Sequence, residues 1–401
     1  MHLRARLSAL GIAALAAIPL TVLGPAAASH AAASPAKAVR SCTTAKAGYA
    51  SCQALVRTDV TGTVAPAGAK PDAATPSGFG PADLQSAYNL PSATAGSGRT
   101  VAIVDAYDDP TAEADLGVYR SQFGLPACTT ANGCFKKVDQ NGGTSYPRKD
   151  GGWAQEISLD LDMVSAICPN CHILLVEASS SSFANLGAAV NRAAATPGVV
   201  AISNSYGGSD ASDATYGSYY NHPGIAVTAS SGDNGYGASY PASSHYVTAV
   251  GGTSLSKAST SRGWSETAWS GAGSGCSAYN TALSGQASFG TGCAKRAEAD
   301  VSAVANPSTG VAVYDSTAYQ GYVGWMVFGG TSVSSPVIAS VYALAGNTGS
   351  IDNNYPYTHS SSLNDVTSGS NGSCTTSQWC TARTGWDGPT GLGTPNGVGA
   401  F

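Results

Sequence analysis

Charged side chains are scarce in this chain of 401 residues, where Asp, Glu, Lys and Arg together make up only 11% of the sequence. The 19 Lys and Arg residues are outnumbered by 24 Asp and Glu residues, which gives a formal net charge of −5 at pH 7. Such a chain lacks the basic patch that binds nucleic acid or an anionic membrane surface. We therefore expect neither of these as a partner.

Long hydrophobic runs are also missing, except at the start of the chain. Residues 1–33 combine Arg4 and Arg6 with an apolar stretch that ends in small residues suited to cleavage. This pattern predicts a secretory signal peptide and not a membrane anchor. No later stretch is long and apolar enough to span a bilayer. We expect an exported, extracellular protein.

The ten cysteines fall into five close couples, and an even count in an exported chain predicts local disulfides. The couples are Cys42 with Cys52, Cys128 with Cys134, Cys168 with Cys171, Cys276 with Cys293, and Cys374 with Cys380. The C-x-x-C spacing at 168–171 is also typical of redox motifs. The thioredoxin pattern is absent around it, which favours a structural disulfide. A zinc site is disfavoured because no second C-x-x-C or matching histidine pair exists.

The chain changes character near residue 81. Residues 34–80 are rich in Ala, Thr, Gly and Pro without a hydrophobic period, which predicts a short propeptide or linker. From there on, apolar runs such as RTVAIVDAY, HILLVEA and GIAVTASSG alternate with helical candidates such as SFANLGAAVNRAAA. This alternation predicts one large α/β domain over 81–401, with a doubly wound, mostly parallel sheet flanked by helices. Ligands bind beyond the carboxyl ends of such strands.

A candidate nucleophile, Ser332, lies in GGTSVSSPVIAS at residues 329–340, where a glycine turn leads into an apolar helical run. A helix N-terminus stabilises negative charge, but a serine nucleophile also needs a base. Histidine is the usual base, yet none lies in a suitable motif. His2 and His30 are in the signal region, and His222, His245 and His359 are in polar turns. His172 begins a buried strand, where we expect a structural hydrogen bond.

Acidic residues offer an alternative base. Glu156 and Asp160 lie four residues apart and share one face of a predicted helix, whereas Asp162 is off this face and is expected to face solvent or cap the helix. In a cleft, repulsion would keep a proton on one of the paired carboxyls; in water, the pair would form a solvated acidic face. Asp233 follows a strand in SGDNG, either as a turn former or as a protonated donor to an oxyanion.

The motifs E-x-x-x-D at 156–160, SGDNG at 231–235 and GGTS at 329–332 resemble, in this order, the sedolisin, or serine-carboxyl peptidase, family. GPADLQSAYNLP at the start of the domain, SNSYGG at 203–208 and the closing GWDGPTGLGTPNG are also similar to that family. The resemblance implies a subtilisin-like fold in which Glu replaces the histidine base. It also implies that Ser332 is the nucleophile, Glu156 the general base, Asp160 its partner and Asp233 the oxyanion donor.

Further roles are implied by the same resemblance. SNSYGG is similar to the edge that pairs with the substrate backbone, so Ser203, Ser205 and Gly207 are candidates for substrate contact, or else ordinary strand-end residues. The C-terminal loop is similar to a site for one structural calcium ion. Its oxygen ligands would be the Asp365 and Asp387 carboxylates and the carbonyls of Val366, Arg383 and Gly385, with Arg383 standing where a glycine is common.

The implied function is an exported endopeptidase that acts as a monomer on proteins or peptides. A carboxylate is a weaker base than imidazole and the oxyanion donor must be neutral, so we expect activity at acidic pH. Asp105, at the end of the first strand, is either a turn residue or an extra cleft carboxylate that changes the pKa of Glu156. Two alternatives remain: a subtilisin-type Ser-His-Asp peptidase using Asp105, and a non-catalytic, disulfide-stapled secreted binding protein. Only a short region precedes the domain. Either the enzyme folds without a large prodomain, or the region around Cys42–Cys52 is a reduced prodomain.

Overall fold

Strands and helices alternate along most of the chain, as the sequence predicts. The computed structural model describes residues 1–2, 37–60, 76–347 and 352–401. The signal peptide predicted at 1–33 lies outside these residues, apart from Met1 and His2. No helix among the described residues is long and apolar enough to cross a membrane.

The strands are β1 (Ala38–Arg40), β2 (Ser51–Cys52), β3 (Leu55–Arg57), β4 (Thr100–Ala106), β5 (Phe135–Asp139), β6 (His172–Ala178), β7 (Val199–Asn204), β8 (Tyr206–Ser209), β9 (Ala226–Ser230), β10 (Ser239–Tyr240), β11 (Thr248–Lys257), β12 (Trp264–Ala268), β13 (Gly275–Cys276), β14 (Ala297–Glu298), β15 (Val301–Val304), β16 (Val311–Tyr319), β17 (Tyr322–Gly329), β18 (Leu363–Asn364) and β19 (Thr394–Pro395). The α-helices are α1 (Pro81–Ala87), α2 (Ala112–Gln122), α3 (Gly151–Ile167), α4 (Phe183–Ala194), α5 (Asp213–Tyr216), α6 (Ser284–Ser288), α7 (Thr331–Ala345) and α8 (Tyr355–Thr358).

The central sheet has the strand order β12-β11-β9-β7-β4-β6-β5, and β15 also pairs with β11. Every pair from β11 to β5 is parallel, and only the edge strand β12 runs antiparallel to its neighbour. Parallel strands are covered on both faces, so they form continuous apolar runs. The prediction of a doubly wound, mostly parallel sheet is confirmed.

Helices cover both faces of this sheet, because successive side chains of a strand point to opposite sides. Val101 and Ile103 of β4 pack into a core shared with α3 and α7, whereas Ala102 and Val104 pack into a second core with α4. The buried helices α3 and α7 therefore lie together on one face. Their contact brings the candidate acids of α3 next to the candidate nucleophile of α7.

Residues 37–57, here called the cleft segment, form three short strands where composition predicts no regular structure. β3 lies between β1 and β17 in a four-stranded sheet, and β2 pairs with β8. Strands of two or three residues are too short to show a hydrophobic period, which explains why the sequence gives no sign of them.

The five predicted disulfides are confirmed, with Cα–Cα separations between 4.8 and 5.8 Å. These separations lie in the normal range for a disulfide. Both Cys168 and Cys171 are fully buried, which supports the structural reading of the C-x-x-C pair over the redox one.

Candidate active site

Ser332 lies in the first turn of α7 and is fully buried. Its Oγ donates a hydrogen bond to the carbonyl oxygen of Ser205 at 3.1 Å and accepts one from the backbone N–H of Gln53 at 3.1 Å. The helix is preceded by Gly330 at φ 97°, a left-handed conformation that favours glycine. This turn presents Ser332 to the cleft segment.

Pro336 affects the same turn. Proline has no N–H, so the Ser332 carbonyl four residues earlier lacks its helical donor. The Oγ of Ser205 lies 3.4 Å from that carbonyl oxygen and 2.8 Å from Oδ1 of Asp160. Ser205 therefore links the nucleophile's turn to the acid pair of α3.

Glu156 and Asp160 are both fully buried on α3, so they do not form a solvated acidic face. The apolar residues of this helix, among them Ile157 and Leu161, are buried as well. Asp162 is also buried, at 1% exposure, where it accepts a hydrogen bond from the Tyr314 N–H at 2.9 Å. The prediction that Asp162 faces solvent or caps the helix is wrong, because α3 is covered by β16 as well as by the sheet and α7.

Burial raises the pKa of Glu156 well above its usual range, and the nearby charges of Asp160 and Asp105 raise it further. The Ser332 hydroxyl acts in the opposite direction and lowers the pKa of Glu156, which indicates that the two groups are neighbours. Neither Glu156 oxygen accepts a hydrogen bond from the described residues, since the single hydroxyl proton of Ser332 is directed at the Ser205 carbonyl. A rotation of that hydroxyl would be needed to join them.

Asp105 is the third carboxyl of this group. It lies inside β4, it is fully buried, and neither of its oxygens has a hydrogen-bond partner among the described residues. Burial raises the pKa of Asp105 to about 8, and its charge raises the pKa of both Glu156 and Asp160. The interpretation of Asp105 as a turn residue is wrong, and the alternative of an extra cleft carboxylate fits the contacts.

The two carboxyl oxygens of Asp233 lie in different environments. Oδ1 accepts hydrogen bonds from the Thr331 N–H at 2.7 Å and the Thr331 hydroxyl at 2.9 Å, whereas Oδ2 has no partner among the described residues. Burial raises the pKa of Asp233 to about 7. A Cβ added to Gly330 would stand 2.7 Å from Asp233 Oδ2 and 1.9 Å from the Gln53 carbonyl oxygen. These two oxygens are therefore neighbours.

The predicted substrate edge is only partly as expected. Gly207 in β8 pairs with Ser51, and the Ser205 carbonyl accepts a hydrogen bond from the Gln53 N–H at 3.2 Å. Ser203, in contrast, lies in β7 and pairs with strands on both sides, so its backbone has no free edge. The prediction of substrate contact is therefore wrong for Ser203.

A cavity of about 330 Å³ adjoins the Gln53 side chain. Its walls are mostly small or polar and include Gly207, Ser231, Gly232 and Ser239. Oε1 of Gln53 has no hydrogen-bond partner among the described residues. The cavity therefore leaves free space beside the Gln53 side chain.

The residues expected to bind calcium lie together in the C-terminal loop. Asp365 accepts a hydrogen bond from the Gly385 N–H at 2.9 Å, and Asp387 accepts one from the Arg383 N–H at 3.0 Å. Burial raises the pKa of Asp387 to about 7, and the charge of Asp365 raises it as well. The Arg383 guanidinium instead donates a hydrogen bond to the side-chain oxygen of Gln378. It therefore does not neutralise the Asp365 and Asp387 carboxyls. An oxygen-rich set of this kind fits a hard cation.

A second buried acidic group was not predicted from the sequence. Carboxylate oxygens of Asp109, Asp115 and Asp315 lie within 4.8 Å of one another, in an arrangement compatible with a metal ion. Asp315 is some 200 positions from the other two, so no local spacing could have revealed the group.

None of the hydrogen bonds to Ser332, nor any of the charges acting on Glu156, comes from a described histidine. The rings of His222 and His245 instead contact backbone carbonyls of Tyr219 and Thr281. His172 is exposed, and no hydrogen bond of its ring is found among the described residues. The expected structural hydrogen bond of His172 is therefore wrong, since the ring points out at the start of β6.

A parallel α/β sheet packed against a buried helix that carries a serine in its first turn, beside clustered carboxyls, defines a subtilisin-like fold with a serine-and-carboxyl site. No family model matches the chain. It is 29% identical to the kumamolisin of Bacillus sp. (strain MN-32) over 377 residues, covering 82% of this chain and 64% of that protein. It is 27% identical to the sedolisin of Pseudomonas sp. (strain 101) over 363 residues, covering 80% of this chain and 60% of that protein.

The solved structure of Pseudomonas sedolisin, a serine-carboxyl proteinase complexed with two molecules of pseudo-iodotyrostatin, gives a TM-score of 0.66 at 26% identity. The match covers 80% of this chain and 96% of that chain. The chain is therefore similar to members of the sedolisin family in both sequence and fold. It spans less than two thirds of the length of the kumamolisin and the sedolisin that it matches by sequence.

Proposed function

We propose that this chain is a serine-carboxyl endopeptidase that hydrolyses proteins or peptides through an acyl-enzyme on Ser332. The observation that carries the proposal is the buried Ser332 hydroxyl beside the Glu156 carboxyl, with no described histidine acting on either. An internal chain segment runs past Ser332 in both directions, which supports cleavage within a chain rather than at its end.

Glu156 acts as general base in this proposal. When ionised, it takes the Ser332 proton during attack on the carbonyl carbon and donates it to the leaving amine as the peptide bond breaks. Water then attacks the ester while Glu156 takes its proton, and the bond from the acyl carbon to Ser332 Oγ breaks as Glu156 passes that proton to Oγ. Burial and the charges of Asp160 and Asp105 raise the pKa of Glu156, which makes it a stronger base than an ordinary glutamate.

Asp233 and the Ser332 N–H stabilise the oxyanion. Oδ2 of Asp233 is free to donate only when the carboxyl is protonated, because its other oxygen already accepts two hydrogen bonds. With its pKa raised to about 7, Asp233 holds that proton at acidic and mildly acidic pH. This supports activity below neutrality.

One structural calcium ion completes the proposal. Asp365, Asp387 and the carbonyls of Val366, Arg383 and Gly385 would hold it, and its charge would offset the repulsion between the two carboxylates. Export through residues 1–33 and action as a monomer, without nucleic acid or membrane, belong to the same proposal. The five disulfides support an oxidising compartment.

Digestion of a denatured protein at several pH values below about 7, where Asp233 still holds its proton, tests the function. Wild type should digest it, whereas Ser332→Ala and Glu156→Gln should each be slower by at least about 100-fold. His222→Ala and His245→Ala serve as controls and should be unchanged. Loss of activity in either histidine variant would instead favour a Ser-His-Asp peptidase. Inactivity of both the wild type and a Cys42→Ser, Cys52→Ser variant, which lacks the disulfide of the cleft segment, would favour a binding protein.

A further inference from the structure

The cleft segment lies along the site as a bound peptide would. On one side, Ser51 and Cys52 pair antiparallel with Gly207 and Tyr206 of β8. On the other side, the Ala50 N–H donates to the Ser181 carbonyl at 2.8 Å, and Gly48 accepts from the Phe183 N–H at 3.1 Å. A strand held between two edges of the protein gains affinity from backbone hydrogen bonds alone.

At Ser332 the segment has the orientation of a substrate. The Gln53 N–H lies 3.2 Å from the Ser205 carbonyl and 3.1 Å from Ser332 Oγ. The Gln53 carbonyl oxygen accepts from the Ser332 N–H at 3.4 Å and lies beside the free Oδ2 of Asp233. The carbonyl thus occupies the position of the oxyanion, and the bond presented to Ser332 is Gln53–Ala54.

The chain after this bond is anchored separately. Ala54 is fully buried, and its carbonyl accepts a hydrogen bond from the Ser41 N–H at 3.1 Å. Leu55 and Val56 pair with Gly329 and Phe328 of β17 and also with β1. Both ends of a cut at Gln53–Ala54 would therefore remain in place.

The loop that carries the bond is closed at its base. The Cys42–Cys52 disulfide joins its two arms next to Gln53, and β1 pairs with β3 beyond it. The Arg40 guanidinium donates to the Asp233 carbonyl at 3.2 Å and to Asn234 Oδ1 at 2.7 Å. A loop held rigid in its bound shape loses little entropy on binding and so binds tightly.

We propose that residues 41–54 form a disulfide-closed reactive loop that inhibits this chain's own active site and is cut only slowly, and reversibly, at Gln53–Ala54. This rests on the proposed function. Ser332 Oγ bonds to the Gln53 carbonyl carbon, and Glu156 moves the serine proton to the Ala54 nitrogen as the peptide bond breaks. Because Ala54 stays anchored, its amine can attack the ester and restore the bond before water completes hydrolysis.

Opening the loop tests the inhibition. Cys42→Ser with Cys52→Ser should raise the initial rate on a fluorogenic peptide at least tenfold, because the free loop leaves the cleft more often. Cys128→Ser with Cys134→Ser removes another short disulfide and is the matched control, which should not change the rate. Arg40→Ala keeps all disulfides and should also raise the rate, measured well below the pKa of about 7 at which Asp233 loses its proton. Unchanged rates in both loop variants would overturn the inference.

A binding experiment makes the test independent of catalysis. A labelled linear peptide with the sequence of residues 48–57, carrying serine in place of Cys52, is titrated into Ser332→Ala protein and followed by fluorescence anisotropy. It should bind when the loop is opened by Cys42→Ser with Cys52→Ser and should fail to bind when the loop is closed. Equal binding to both would contradict the inference. If the peptide binds only when the loop is opened, and no variant hydrolyses a peptide, the proposed peptidase activity is contradicted but the inhibitory loop is not.

The site of the cut is read by intact-mass and N-terminal analysis of the secreted wild type. We expect a slow cut that gives a new N-terminus at Ala54, with the two fragments still eluting together, and no cut in Ser332→Ala. A Ser332-dependent cut elsewhere, followed by loss of residues 37–57 from the protein, would identify a removable segment and overturn the proposal of a retained inhibitory loop.

Discussion

The two oxygens of Asp233 face different partners, and an amide at this position would separate their roles. Asparagine keeps an acceptor for the N–H and hydroxyl of Thr331, and it offers an N–H donor at the position of Oδ2 that does not depend on pH. Asp233→Asn therefore tests protonation without removing the contacts that hold the side chain.

For Asp233→Asn we expect the alkaline limb of the pH–rate profile to move upward. In the wild type, burial raises the pKa of Asp233 to about 7, so kcat/KM should fall as pH rises through that value and the donor proton is lost. The variant should keep its activity at higher pH. The measurement is kcat/KM on one peptide from pH ~4 to ~9. An unchanged alkaline limb would assign that titration to another group.

Asp105→Asn should move the acid limb in the opposite direction. The ionised Asp105 raises the pKa of Glu156, so its removal lowers that pKa and leaves Glu156 ionised at lower pH. We expect an acid limb at lower pH and a slower maximal rate, because the base is weaker. Asp162→Asn, which removes a buried carboxyl outside this cluster, is the control and should leave the limb in place. A shift of equal size in both variants would point to a general effect of lost charge.

At the scale of elements, the turn from β17 into α7 requires Gly330. A Cβ there would stand 1.9 Å from the Gln53 carbonyl oxygen and 2.7 Å from Asp233 Oδ2, at φ 97°. Gly330→Ala should reduce kcat/KM by at least about 100-fold, since the methyl group fills the position of the oxyanion. Gly98→Ala is matched in backbone conformation, at φ 76°, but has nothing within 4 Å. It should keep normal kcat/KM, and comparable losses in both would mean that backbone strain alone is responsible.

The sequence predicts the strands and helices whose side chains show a hydrophobic period, and the residues at the ends of those elements. The strand-helix alternation gives the parallel sheet, and the four-residue spacing of Glu156 and Asp160 gives one buried helix face. Ser203 and Asp105 were misjudged because their environments depend on neighbouring strands and on packing between helices. Gln53 was missed because its backbone hydrogen bonds join it to Ser205 and Ser332, which lie 150 or more residues away.

At the scale of the whole molecule, buried acids should make stability depend on pH. Burial raises the pKa of three of them to about 8: Asp105, Glu177 and Asp315. In the unfolded chain these groups titrate near 4, so the folded state binds more protons between the two values. The stability that these three groups contribute should be full below about pH 4 and should be lost progressively as pH rises through about 8. Urea midpoints of Ser332→Ala at several pH values measure this, and a midpoint that rises with pH would contradict it.

Removal of the proposed calcium ion should lower the melting temperature. The repulsion between Asp365 and Asp387 would then be uncompensated, and the loss should be larger near neutral pH than at acidic pH, where Asp387, with its pKa of about 7, is protonated. The measurement is thermal unfolding with and without a chelator. Asp387→Asn should abolish the chelator effect. If Asp315→Asn abolished it instead, the ion would belong to the other acidic group.

The covalent cross-links of this protein are all short in range. Each disulfide joins cysteines separated by 3 to 17 positions, so none connects one half of the chain to the other. Short loops remove little freedom from the unfolded chain. Each pair can oxidise as soon as its own stretch meets an oxidising environment, without waiting for the rest of the polypeptide, and a wrong partner in one region need not misdirect the next.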